Sequence, residues 1–89
     1  MTKQDFISVI NDGMSRGKEF LAVKIETEGN PQPEVILNPA ENVREKIKYY
    51  RHAYNDEMEL ISAKAVGKSI RIVDVLMTNN LNDLNWFMY

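Results

Sequence analysis

Arg44, Lys48 and Arg51 or His52 recur at intervals of four and then three or four residues, the spacing that sets side chains on one face of an α-helix. Guanidinium and ammonium groups in such a stripe can hold phosphate or carboxylate oxygens. Tyr49 beside them offers a ring on which a base can stack. The competing reading is a solvated helix face, with Glu41 and Glu45 near enough to pair with the stripe. The candidate partner-binding set is therefore Arg44, Lys48, Tyr49, Arg51 and His52.

Other constellations point to less. Val66-Gly67-Lys68-Ser69 has the closing half of a phosphate-binding loop, whose backbone N–H groups cradle phosphate oxygens. That loop needs a glycine where this chain has Ser62, and a helix where it has the strand-like Ile70-Arg71-Ile72-Val73. A turn between two strands is the better reading, and nucleotide hydrolysis is set aside. His52 is the only histidine, with Asp56, Glu57 and Glu59 as its nearby acids, too few donors for a first-row metal site. A solvated histidine at a helix C-terminus, well placed in the dipole, accounts for it. No pair of carboxylates has a distinctive spacing, and no serine is marked as the nucleophile of a triad. The expectation is a protein without catalytic residues, metal or cofactor.

Trp86-Phe87-Met88-Tyr89 is a different kind of signal. Burying each such side chain is worth roughly 1.5–3 kcal/mol, so the group must pack on its own core or on another chain. Its own core is the first reading. The second makes Trp86, Phe87 and Tyr89 the interface of a homodimer or small homo-oligomer.

The elements that position these groups follow from patterning. Thr2 and Asp5 form a weak capping box for a helix over 3–16, ended by Gly17, with Gly13 inside it at a cost of roughly 1 kcal/mol against alanine. Leu21, Val23 and Ile25 alternate with Ala22, Lys24 and Glu26 as a half-buried strand. Glu28 to Pro33 is a loop, and Glu34 to Leu37 a second strand in a hairpin with the first. Asn38, Pro39 and Glu41 carry the marks of N-cap, first helical residue and capping box for a helix to about Tyr54, burying Val43, Ile47, Tyr50 and Tyr54. Met58–Ala65 and Ser69–Met77 read as two more strands joined across Gly67. In the last, Ile70 and Ile72 keep one phase while Val73, Val75 and Met77 keep the other, so either both faces are covered or a bulge intervenes. Asn80 caps a final helical turn. The predicted fold is α+β, one domain over 1–89, in the order α-β-β-α-β-β-α. Its four-stranded, mainly antiparallel sheet carries helices packed on one face.

Bulk composition narrows the class of partner. The net charge is −2, with four Lys/Arg against six Asp/Glu over residues 1–38, four against two over 39–55, and three against five over 56–89. A protein that coats DNA nonspecifically needs a broader basic field, although a local anion site fits. The absence of cysteine excludes disulfide scaffolds and suits a reducing compartment. No signal-peptide run and no stretch of eighteen apolar residues occurs, so the expectation is a cytoplasmic protein of a bacterial host cell, with no membrane partner.

Nine asparagines, abundant isoleucine and lysine, and small size resemble the compact accessory proteins of phages and prophages of Gram-positive bacteria. Asn38-Pro39-Ala40-Glu41-Asn42, Lys46-Ile47-Lys48-Tyr49-Tyr50 and Ala53-Tyr54-Asn55-Asp56 carry that resemblance, over about a quarter of the chain. It transfers no functional residue. It implies a job done by binding, such as inhibition of host defence or sequestration of a signalling ligand. The resulting expectation is a non-enzymatic binder of a host protein or anionic nucleotide. The alternatives are a nucleic-acid-binding accessory protein using the basic helix face, and a structural piece of a virion or larger assembly.

Overall fold

A computed structural model describes residues 1–89. Helix α1 (Lys3–Ser15) begins at Thr2, whose Oγ1 accepts the Asp5 N–H at 3.1 Å. It ends where Gly17 takes a left-handed φ of 70°, as the sequence predicts. Strands β1 (Phe20–Thr27) and β2 (Glu34–Pro39) form the expected antiparallel hairpin. Helix α2 (Val43–Ala53) follows, then the short α3 (Ile61–Lys64), strand β3 (Ile70–Thr78) and the short α4 (Leu84–Phe87). The sheet has three strands in the order β2-β1-β3, antiparallel throughout.

The fold class is α+β, but the sheet is one strand short of the prediction. In the 58–65 segment only Glu59 bridges β3, opposite Arg71, and the chain then coils into α3. Asn55 builds the turn that precedes this segment. Its Oδ1 accepts the N–H groups of Glu57 and Glu59 at 3.0 and 2.9 Å, winding a tight turn that holds Met58 at a φ of 60°. Glu59 then accepts Lys64 Nζ at 2.8 Å and Asn55 Nδ2 at 3.0 Å, which together keep its carboxyl below the usual range. Pairing with β3 begins where this turn ends, with Leu60 N–H donating to Ile70 C=O at 2.7 Å, and stops where Ile61 enters α3. Gly67, with φ 76°, closes α3 rather than a hairpin between strands.

The helix start at Asn38 is a second correction. Asn38 pairs with Leu21 inside β2, its side chain is buried, and it caps nothing. Ala40 N–H still donates to Glu19 C=O at 2.7 Å, extending the strand pairing past Pro39. A 3-10 turn over Ala40–Asn42 intervenes before α2 begins at Val43. Strand pairing outcompetes the local cap signal because it satisfies more backbone groups at once.

One core joins Phe6 and Ile10 of α1, Leu21, Val23 and Ile25 of β1, Val43 and Tyr50 of α2, Tyr54, Met58, and Ile72, Val75 and Met77 of β3. The phase change in β3 is a bulge. Lys24 pairs with Asp74 and Ile25 with Ile72, leaving Val73 without a partner, so Ile72, Val75 and Met77 share the core face. The prediction of helices on one face also needs amending. Lys24 points away from the core, and its Nζ lies 6.0 Å from the ring centroid of Phe87, so α4 covers part of the opposite face.

Candidate functional site

Helix α2 buries Val43 and Tyr50 and leaves Arg44, Lys48, Arg51 and His52 exposed. Arg44, Lys48 and Arg51 fall within one narrow stripe of the helix, with His52 on its flank. Only Lys48 has an ion-pair partner, Glu45 at 3.4 Å, and both side chains are open to solvent. Such a contact is worth well under about 1 kcal/mol and yields readily to a competing anion. Arg44 and Arg51 form no salt bridge, and Glu41 takes no part in one. Tyr49 lies outside that stripe, about 100° round the helix from Lys48 and nearly opposite Arg51.

Tyr49 is the exposed aromatic residue of α2, 52% exposed. Its ring is braced edge-on against Tyr50 at 5.3 Å and Tyr54 at 6.2 Å between centroids. Tyr50 in turn meets Phe6 of α1 edge-on at 5.1 Å. Burial, with the neighbouring phenols adding to it, pushes the Tyr50 hydroxyl up to about 12, and burial with Tyr49 does the same for Tyr54. These hydroxyls stay protonated across the physiological range and serve as packing groups. Tyr49 is left as a braced, half-exposed ring on the same helix, next to Lys48 in sequence but turned away from Arg44 and Arg51.

The sequence reading missed Lys3. Its Nζ donates to Arg51 C=O at 2.8 Å, and its backbone N–H donates to Asp56 C=O at 2.7 Å. It therefore adds a cation at the C-terminal end of α2, where the helix dipole favours positive charge. Nothing in the sequence could place it there, because the contact spans 48 residues of chain.

The other candidates are scattered. The Val66–Ser69 turn is exposed and leads into β3, with no helix at which a phosphate would sit. A notch at the far end of the sheet is lined by Glu26, Glu28, Asn30, Ser69 and Arg71. Its charges are answered internally by the Glu26–Arg71 pair at 3.2 Å and by Ser69 N–H donating to Glu28 Oε2 at 3.1 Å. In the C-terminal group, Phe87 is turned into the chain's own fold and drops out of the candidate oligomer interface. Trp86 and Tyr89 remain 60% and 94% exposed, the former with Nε1 donating to Asp83 Oδ1 at 3.3 Å. No family model matches the chain, and no curated protein or solved structure is significantly similar to it. No helix is long and apolar enough to cross a membrane.

Proposed function

We propose that this chain is a non-catalytic binding protein whose recognition surface is the outer face of α2, and that its partner is an acidic protein surface or anionic nucleotide of a bacterial host. One observation carries this reading. In a chain of net charge −2, Arg44 and Arg51 stand exposed on a single stripe without a carboxylate partner, and a braced, half-exposed Tyr49 lies on another side of the same helix. The likeness to phage accessory proteins supports placing the partner in the host cell, where inhibition of a defence system is the fitting role.

Replacing Arg44→Glu and Lys48→Glu together should abolish retention of the partner from a bacterial lysate on immobilised protein. Unfolding free energy should stay within about 0.5 kcal/mol, as expected for exposed positions. Equal retention by the parent and the double variant would remove the reading. Tyr49 also supports a second reading, single-stranded nucleic acid stacked on its ring with phosphates along the stripe. That reading requires affinity for oligonucleotides that falls steeply with added salt. Binding that is absent, or indifferent to salt, leaves the first reading alone.

A further inference from the structure

The two edges of the sheet are finished differently. Along β3, Ile72 N–H donates to Met58 C=O at 2.9 Å and Leu60 N–H to Ile70 C=O at 2.7 Å, so residues 58–60 cover the first half of that edge. Beyond the bulge, Val75 N–H donates to Asp74 Oδ1 at 2.9 Å. The outer edge of β2 has no such cover. Its register is set by Ala40 N–H on Glu19 C=O: the alternation aims the backbone groups of Glu34, Ile36 and Asn38 at β1, and those of Val35 and Leu37 outward. Pro33 and Pro39 occupy the next outward positions on either side, where a missing N–H breaks no ladder bond. The edge therefore offers the N–H groups of Val35 and Leu37 and ends in a proline at both sides.

The geometry points to pairing of β2 with β2 of a second copy of this chain, about a two-fold axis at Ile36, to make one continuous six-stranded antiparallel sheet. In that register Val35 of each copy faces Leu37 of the other and exchanges both backbone hydrogen bonds with it. Each outward donor is then satisfied, and neither proline is required to donate. Ile36 faces Ile36 on the core side, and Val35 faces Leu37 on the other, so the new contact is apolar on both faces. Ile36 and Leu37 are 40% and 41% exposed in the single chain, where a solitary edge strand would ordinarily carry lysine or another charge at its centre.

Two further features fit a second copy as the occupant. Glu34 falls opposite Asn38 of the other copy, not opposite its own twin, so no like charges meet. Asn38 Nδ2, buried and without a hydrogen-bond partner within the chain, acquires a carboxylate on the facing strand. The axis stands normal to the sheet, which puts α1 and α2 of both copies on the same side. This inference is independent of the role proposed for α2.

Sedimentation of the full chain should show a dimer, and Ile36→Lys should convert it to a monomer by setting two ammonium groups against each other on the axis. The chain has no cysteine, so cross-linking can be read cleanly. Under mild oxidation Ile36→Cys should give a disulfide-linked dimer, because facing non-hydrogen-bonded residues place their Cα atoms about 4.5 Å apart, within disulfide reach. Leu37→Cys does not face its twin and should link far less. A parent chain that is monomeric at high micromolar concentration, a dimer that survives Ile36→Lys, or equal linking at the two positions overturns the proposal.

Discussion

Where α1 meets the sheet, a side chain is missing; where α2 meets the same core, rings fill the contact. Gly13 lets α1 approach so closely that a Cβ there would overlap Cβ and Cγ of Met77 in β3. Helix α2 reaches the core through Val43 and Tyr50, with Tyr54 just past its end and Phe6 of α1 meeting Tyr50 edge-on. The difference separates two duties. A helix seated at backbone distance tolerates no added atom and serves as foundation. A helix held by aromatic side chains on its inner face leaves its outer face free to carry exposed charge.

The comparison breaks most readily at Phe6, the residue that joins the two helices. Phe6→Ala should cost on the order of 3–5 kcal/mol in urea unfolding, since it removes a fully buried ring and the support of Tyr50. A loss below about 1 kcal/mol would mean that α1 and α2 stand independently. Gly13 sharpens the picture. In an exposed helix, glycine to alanine gains about 1 kcal/mol. Here the overlap with Met77 should reverse the sign and leave a net loss of about 1–3 kcal/mol, typical of overpacking. A stabilised Gly13→Ala variant would show that α1 can retreat from β3 at little cost.

The smallest expected effect is alkaline. Tyr50 and Tyr54 titrate near 12 in the folded chain against 10.0 for an unburied phenol. The folded state therefore holds more protons than the unfolded state in that window. Their contribution is intact below about pH 10 and is lost as pH rises from there through about 12. The urea midpoint should fall across that range, and Tyr50→Phe should flatten part of the slope. A midpoint that holds steady to pH 12 would place both hydroxyls in water.

Much of this arrangement is legible in local pattern. Thr2 and Gly17 mark the ends of α1, and alternation over Leu21–Ile25 marks β1, because caps and periodicity act within a few residues. The stripe of α2 follows from its helical spacing alone. Where signals compete, local pattern misleads. Asn38 has the chemistry of a cap, yet β1 claims it for the sheet. Met58 and Leu60 alternate like a strand, yet the chain coils into α3 at Ile61 after a single bridge to β3. Gly13 reads as a flaw in a helix until Met77 is known to lie against it.

Residue types and their periods alone thus determined that helix and hairpin would form, which helix face would be apolar, and where positive charge would gather. Those properties arise from interactions between near neighbours in the chain. Tertiary structure decided that Asn38 pairs instead of capping, that Lys3 closes the end of α2, that Phe87 turns inward, and that β2 is left as an uncovered edge. Each of these depends on which distant backbone or side-chain group arrives within hydrogen-bonding or van der Waals range, and only the folded chain sets those distances.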